Sequence, residues 1–549
     1  MLLTSSFSNS KINCLIKILL FSSIVLISCS GDKKQPNIIL FLVDDLGWSD
    51  VAIYGSSYYE TPNIDQLAKD GVRFTQAYAA SHVCSPTRAS ILTGKYPARL
   101  QLTDWLPGRS WLLPRTEYDY EKLKSAKFYQ HLPFEEITIA EELKSNGYKT
   151  AIFGKWHLGE DQWTKNNWSM DYLGEDPSGP LSHGFDLHIP KGWGKGWPKA
   201  GYYAPFKLDG INDNDGKDGY LTDRLTDEAL KFIDQNTKEP FFLYLSLFSV
   251  HDPIQGRKDL VEKYQKKLDK QSTPNNPDFI LEGNPDDPNP LSKSELDNLI
   301  KQPSHKDFKV LPQRTVKIKQ RQDNVHFAAM VEAVDENLGR VIKKLEALDL
   351  DENTIIIFFS DNGGMSAANF GRPTRQISPT QLDKAFSTSN LPLRGAKGWL
   401  YEGGIRVPLI VKWPGRVKRG HISEKQVIST DFYPTILEML GLESNSLENI
   451  DGKSFVNALD NKQYNRGAIY WHFPHYSNHG MQSPGGAIRL GDYKLIEYFE
   501  NNSIQLFNLK DDIGEQNDLS KSEPEKAAEL LSLLKEWRRE TSAQMMSVK

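Results

Sequence analysis

The sequence predicts an α/β protein with a doubly wound, mostly parallel central sheet, and three observations carry that expectation. First, Asn37–Val43, Thr150–Phe153, Phe241–Val250 and Thr354–Ser360 are continuous apolar runs, as expected of strands buried on both faces of a parallel sheet. Second, helical apolar spacing fills the gaps between them, at Thr138–Ser145, Leu225–Ile233 and Val325–Leu348. The resulting order, β, α, β, α, β, α, β, is that of a doubly wound core. Third, each run ends in polar residues, and open α/β sheets bind ligands at the carboxyl ends of their strands.

Those four strand ends hold the candidate chemistry. Asn37–Val43 runs into Asp44 and Asp45, and Thr150–Phe153 into Gly154-Lys155-Trp156-His157-Leu158-Gly159. Phe241–Val250 runs into His251-Asp252-Pro253, and Thr354–Ser360 into Asp361-Asn362-Gly363-Gly364. If the sheet gathers them, Asp44, Asp45 and Asp361 repel one another unless a cation sits among them. Together with Asn362 they offer only oxygen ligands, which select Ca²⁺ or Mg²⁺ rather than Zn²⁺. Each motif alone also reads as an ordinary turn or helix cap, and Lys155 and His157 alone as surface residues of a βα turn.

Composition bounds the function class. The chain has 549 residues, 39% hydrophobic and 25% charged, a globular balance that excludes collagen-like, mostly disordered and multi-span membrane proteins. Residues 1–28 do not belong to the folded body, because Lys11 and Lys17 precede an apolar stretch from Ile18 to Ile27 that is too short to span a bilayer. Leu26-Ile27-Ser28-Cys29 resembles the lipobox of a bacterial lipoprotein, in which Cys29 is lipidated and becomes the new N-terminus; an ordinary secretory signal is the alternative. Residues 29–36 read as a polar tether. The expected protein is exported and held at a membrane by lipid, facing the periplasm or the cell surface. Removing residues 1–28 takes away two lysines and no acids, so the net charge moves from −5 to −7, which argues against nucleic acid as a partner.

Cysteine usage narrows the site. Of Cys14, Cys29 and Cys84, only Cys84 lies in the folded body, so no disulfide forms within it. A lone thiol is either a buried small hydrophobe or a working group. Around it, Ser85 suits an N-cap, Pro86 the first helical position and Gly94 the helix end. Cys84 then stands at a helix N-terminus, where the dipole and free N–H groups favour an anion and Arg88 reaches the same spot.

Cys84-x-Pro86-x-Arg88 followed by Thr93-Gly94 resembles the signature of type I sulfatases, whose cysteine is oxidised to formylglycine (3-oxoalanine). Gly154–Gly159 resembles the family's G-K-W-H-L-G segment, Arg394-Gly395-Ala396-Lys397 its R-G-x-K segment, and His251 its histidine before a proline. The matches run in family order from about Pro36 to Trp413. The resemblance implies an alkaline-phosphatase-like fold and one Ca²⁺ held by Asp44, Asp45, Asp361, Asn362 and residue 84. It also implies roles. Modified Cys84 is the nucleophile, oriented by Arg88 and deprotonated by Asp361; Lys155 and Lys397 hold the sulfate; His251 protonates the leaving oxygen; His157 drives release of sulfate from the enzyme. The partners implied are a maturating enzyme that converts Cys84 and a sulfated oligo- or polysaccharide, with ulvan first, carrageenan or glycosaminoglycan next. A phosphate or phosphonate ester hydrolase of the same fold and a non-catalytic sulfated-glycan-binding lipoprotein are the rivals.

The rest of the chain is less telling. Residues 273–313 are rich in proline and read as a surface excursion. The loop from Lys191 to Phe206 sets Trp193, Trp197, Tyr202 and Tyr203 among lysines, which either stack a sugar ring or simply pack. The catalytic domain is expected over 37–442 and an α+β subdomain over 443–549. The latter has strands at Ala468–Phe473, Ala487–Arg489, Tyr493–Phe499 and Ile504–Asn508, and a helix Pro524–Arg539 that turns Ala528, Leu531, Leu534 and Trp537 to one face. His472 and His475, in the loop after its first strand, either reach toward the site or stay in the loop.

Overall fold

In the computed structural model the four apolar runs stand side by side at the centre of one eight-stranded sheet. The described residues are 35–549, apart from 110–120, 160–177, 191–197, 199, 212–218, 272–276, 304–314, 368–385, 461 and 480–481. The leader, Cys29, Trp193 and Trp197 lie outside the described residues.

The sheet's strands are β1 (Asn37–Val43), β2 (Val72–Tyr78), β3 (Lys149–Gly154), β4 (Leu187–Ile189), β5 (Phe241–Ser246), β6 (Thr354–Ser360), β7 (Leu409–Lys412) and β8 (His421–Ile428). Their spatial order is β8-β2-β7-β6-β1-β5-β3-β4. All run parallel except β7, which is antiparallel to β6 and β2. Strand β1 shows why the layers form. Ile39, Phe41 and Val43 enter one core with Leu225, Val331 and Leu338, while Ile38, Leu40 and Leu42 enter the other with Ile91, Leu92 and Leu143. A strand apolar on both sides needs cover on both sides, and helices Leu221–Gln235 and Val325–Ala347 supply one layer. Helices Cys84–Thr93 and Ile139–Ser145 contribute to the other. Thr138 caps the latter, with Glu141 returning to the Thr138 N–H.

Two expectations change here. The run Phe241–Val250 leaves the sheet after Ser246: Leu247 N–H still donates to Leu42 O at 3.0 Å, and the chain then crosses to Asp44. Asp44 N–H donates to Ser249 O at 2.9 Å and Val250 N–H donates to Asp44 O at 2.6 Å, which turns the chain across the end of β1 and delivers His251 there. The helix expected to start after Ser85 instead begins at Cys84, with Val83 in the cap position; Ser85 Oγ accepts from Leu106 N–H at 3.1 Å rather than capping.

The C-terminal segment forms an antiparallel sheet in chain order, β9 (Ile469–Phe473), β10 (Gly485–Leu490), β11 (Tyr493–Tyr498) and β12 (Ile504–Asn508). Its apolar side shares one cluster with Tyr78, Trp399, Tyr401 and Ile428, so it packs directly on the loop that follows Lys397. The final helix, Pro524–Glu540, buries Ala527, Leu530, Leu534 and Trp537. Its stripe is therefore rotated from the expected one: Ala528 is exposed and Leu531 half-buried, because Trp537 stacks on Tyr470 at 4.7 Å and sets the helix's roll. Within the proline-rich excursion lie strand Phe279–Gly283, which pairs with Thr315–Lys319, and a short capped helix, Lys293–Leu299. Among the described residues no helix is long and apolar enough to cross a membrane.

Candidate active site

The sheet does gather the four polar strand ends. Strands β1 and β6 pair through Val43 and Ser360, so Asp44 and Asp45 leave the sheet beside Asp361 and Asn362. Asp361 N–H donates to Val43 O at 3.2 Å, and Asp45 N–H to Asp361 Oδ1 at 3.2 Å. Asp45 has φ +63°, the left-handed region that costs a β-carbon residue energy and that surrounding structure must enforce. All four residues are buried.

Three cations neutralise the three carboxylates. Arg88, one turn into the Cys84 helix, places Nε 2.8 Å from Asp361 Oδ2 and Nη1 2.6 Å from Ser246 Oγ and 3.0 Å from Lys155 O, tying together the ends of β6, β5 and β3. Lys155 Nζ donates to Asp44 Oδ2 at 2.6 Å. Its place depends on Gly154, at φ +110°, where a β-carbon would stand 1.8 Å from Ser246 O. Lys397 Nζ donates to Asp45 Oδ1 at 2.6 Å and lies 3.4 Å from Cys84 Sγ.

Both histidines expected in the site are there. His157, with φ +58°, sets Nε2 2.6 Å from Leu106 O, so Nε2 carries the proton and Nδ1 is left as a buried acceptor without a partner. Burial and then Lys155 hold it neutral, well below the usual histidine range. His251 takes the opposite direction. Burial and Lys397 oppose its charge, but Asp45 and Asp252 outweigh them and raise it, with Nδ1 2.8 Å from Asp252 O and Nε2 3.8 Å from Asp45 Oδ2.

Burial pushes the Cys84 thiol up to about 12, outweighing Lys155 and Lys397, with the Asp44 and Asp361 charges adding to the rise. A thiolate nucleophile is thus disfavoured. Burial and the Asp361 charge push Asp44 up to about 6, whereas Lys397 and His251 overcome burial at Asp45 and hold it low. Arg88 likewise overcomes burial at Asp361.

Oxygen ligands for a metal are present and unpaired. Asn362 Nδ2 donates to Asp45 Oδ1 at 2.8 Å, which leaves Asn362 Oδ1 free; Asp44 Oδ1 and Asp45 Oδ2 are also buried without hydrogen-bond partners. Oxygens of Asp44 and Asp361 lie within 4.8 Å of each other and of Cys84 Sγ. Three orphaned acceptor oxygens, all hard, fit a Ca²⁺- or Mg²⁺-like ion.

Other expected residues are placed elsewhere. His472 Nε2 sits 2.8 Å from Gln544 O, inside the C-terminal segment, and His475 Nε2 2.8 Å from Thr103 Oγ1, on the stretch before Trp105, so both rings are spent on protein contacts. Tyr202 is fully buried and donates to Phe248 O at 2.7 Å, the packing outcome for that loop. Two residues escaped the sequence reading. Asn390 Nδ2 donates to Gly364 O at 2.8 Å and to Gly395 O and Gly403 O at 3.1 Å, fastening the Asp361 loop to the Lys397 loop. His479 packs against Gly398, beside Lys397. Neither follows a buried strand or falls in one of the quoted motifs, the two signals that singled out the others.

A doubly wound α/β core with a nucleophile position at a helix N-terminus, three cations and an oxygen-ligand set defines an enzyme that cleaves an anionic ester. The family model described as Sulfatase matches residues 36–442, and one described as N-sulphoglucosamine sulphohydrolase, C-terminal, matches 396–543. The chain belongs to the sulfatase family and is a sulfuric ester hydrolase. It is 30% identical to a sulfatase of Formosa agariphila over 92% of this chain and 90% of that one. It is 27% identical to the N-acetylgalactosamine-6-sulfatase of Canis lupus familiaris over 89% and 77%. The crystal structure of Ps i-CgsB, also solved with k-i-k-neocarrahexaose, is similar with a TM-score of 0.64 and 27% identity over 92% and 93%.

Proposed function

We propose that this sulfatase removes sulfate from an algal polysaccharide, ulvan or a carrageenan, using formylglycine at position 84 and one Ca²⁺, as a lipoprotein anchored through Cys29. The observation that carries the catalytic part is Lys397 Nζ standing 3.4 Å from Cys84 Sγ beside three orphaned acceptor oxygens. The carbohydrate part is supported by the neocarrahexaose complex of Ps i-CgsB and by the kinship to an N-acetylgalactosamine-6-sulfatase, which makes glycosaminoglycan the second substrate to try.

Asp44, Asp45, Asp361 and Asn362 hold the ion, which when bound supplies charge neutralisation at the sulfate. The aldehyde form of residue 84 supplies, as its hydrate, the oxygen nucleophile. The residues of the chain do the rest. Arg88, fixed on Asp361, keeps residue 84 and the carboxylates in register. Lys155 and Lys397, both buried, neutralise the non-bridging sulfate oxygens. His251, held toward its protonated form, gives its proton to the departing sugar oxygen. His157 offers Nδ1, its buried free acceptor, for the proton released when residue 84 is restored.

The test is sulfate release from ulvan, carrageenan and glycosaminoglycan oligosaccharides, with peptide mass spectrometry at residue 84. An aldehyde there and turnover of an algal oligosaccharide are expected; full occupancy by thiol with undiminished turnover overturns the mechanism. Chelation should lower activity and melting temperature together, since the ion binds only the native state. If verified metal removal changes neither, the carboxylates serve another purpose.

A further inference from the structure

We infer that His479, from the C-terminal segment, contacts the sugar that carries the scissile sulfate. This rests on the sulfated-glycan reading and adds a residue to it.

Its backbone is seated on the catalytic loop. A β-carbon at Gly398, the residue after Lys397, would stand 2.2 Å from His479 O and 2.4 Å from His479 Cβ, so the two segments touch without space between them. Gln482 Oε1 accepts from Leu400 N–H at 2.6 Å, a second tie between the same segments. The local turn is fixed as well: Ser477 Oγ accepts from His479 N–H at 3.1 Å and donates to His479 O at 2.7 Å. The ring meets the edge of Trp105 at 6.1 Å, and Trp105 is itself held by Nε1 donating to Asn478 Oδ1 at 3.0 Å. Trp105 belongs to the stretch whose Leu106 O orients His157, so the ring is framed by both sides of the site.

With all this support, His479 Nδ1 is buried without a partner and no hydrogen bond holds the ring among the described residues, whereas His472 and His475, whose Nδ1 atoms are likewise unpaired, are each held through Nε2. The ring lies within electrostatic reach of Lys397, Asp45, His251 and Asp252, and burial holds it well below the usual histidine range. A neutral imidazole here adds no further positive charge against the sulfate. It offers one donor and one acceptor, the complement of a sugar hydroxyl. Lysines and His251 recognise the ester itself, common to every substrate; His479 touches the part that differs between substrates.

The experiment compares His479→Ala and His479→Gln with wild type on a small aryl sulfate and on ulvan oligosaccharides, k-i-k-neocarrahexaose and a 6-sulfated N-acetylgalactosamine oligosaccharide, with melting temperatures. For the oligosaccharide that wild type cleaves, His479→Ala should lower kcat/KM roughly tenfold to a hundredfold, the loss of a buried hydrogen bond to substrate. His479→Gln should recover part of it, and aryl-sulfate turnover should stay within about twofold. Equal losses on aryl sulfate and oligosaccharide, or none on either, overturn the inference while leaving the glycan reading intact. Wild type that cleaves aryl sulfate but none of the oligosaccharides overturns the glycan reading and the inference with it.

Discussion

Two of the buried charge clusters among the described residues set carboxylates against basic side chains and are closed to different degrees. One is the catalytic floor, Asp44, Asp45 and Asp361 with Arg88, Lys155 and Lys397. The other joins the loop after Lys397 to the C-terminal sheet. There Lys494 Nζ lies 3.0 Å from Glu402 Oε1 and 2.8 Å from Glu515 Oε1, Glu402 N–H donates to Glu515 Oε2 at 2.7 Å, and Tyr78 Oη donates to Glu402 Oε2 at 2.8 Å. Three of the four carboxylate oxygens in that second cluster accept a hydrogen bond, and the fourth, Glu515 Oε1, keeps the Lys494 ammonium at 2.8 Å as its ion-pair partner. In the floor, Asp44 Oδ1 is 3.8 Å from Arg88 and Asp45 Oδ2 3.8 Å from His251, too far for hydrogen bonds. A network that satisfies itself holds two parts of a protein together; one that leaves buried oxygens over is arranged for a group from outside the chain.

The largest expected effect separates the two clusters completely. Cys84→Ala should abolish sulfate-ester turnover while leaving the melting temperature near wild type, since the side chain lost is small and the carboxylates keep their cations. Loss of folding in that variant would make Cys84 a packing residue. The next effect divides the floor by chemistry. His251→Ala should damage sugar-sulfate hydrolysis about 10²–10⁴-fold, because a sugar alkoxide is a strong base that leaves poorly without a proton, and should spare an aryl sulfate. Single-turnover kinetics on both esters decides it, and equal losses in the cleavage step would move the acid role to Lys397.

The contrast also explains how much was legible beforehand. Most of the floor was readable because Asp44, Lys155, His251 and Asp361 each follow an apolar run buried on both faces and advertise themselves as strand ends, whereas Arg88 and Lys397 showed only through the lone cysteine's helix and the family segment. Strands β1, β3, β5 and β6 are the contiguous middle of the sheet for the same reason. The flanking strands β2 and β8 were missed because they mix polar residues with apolar ones along partly exposed faces, and β8 carries a register shift between Ser423 and Gln426. In the C-terminal segment the strands showed but the site did not. Five of its residues between 471 and 479 are aromatic or histidine side chains besides Trp471 itself: His472, Phe473, His475, Tyr476 and His479. Only the packing of Gly398 against His479 tells which histidine meets the catalytic loop, and no spacing rule encodes that contact.

A smaller effect is expected in the closed cluster, and on stability rather than chemistry. Lys494→Ala leaves Glu402 and Glu515 buried without their shared cation, a lesion of about 3–5 kcal/mol. Denaturant unfolding should show the loss, while turnover per folded molecule changes less than about tenfold. A larger fall in turnover with unchanged stability would mean that Lys494 positions Lys397, making the second cluster part of the machinery.

The smallest effect concerns pH and tests whether the closed cluster is fully ionised. Burial pushes Glu515 up to about 7 from the usual 4.5, with the Glu402 charge adding to the rise and Lys494 opposing it. A folded state that keeps its proton where the unfolded chain has released it binds more protons between those two values. Its stabilising contribution is therefore complete below about pH 4.5 and is lost as pH rises toward about 7, by up to about 3 kcal/mol. Glu515→Gln cannot titrate, so the variant should lose less stability than wild type between pH 5 and 8, measured by urea unfolding at each pH in matched salt. Comparing the two proteins cancels the titration of the catalytic carboxylates, which both share. Parallel pH profiles would show Glu515 ionised in the folded state, with Lys494 outweighing burial, and both clusters would then carry their full charge at neutral pH.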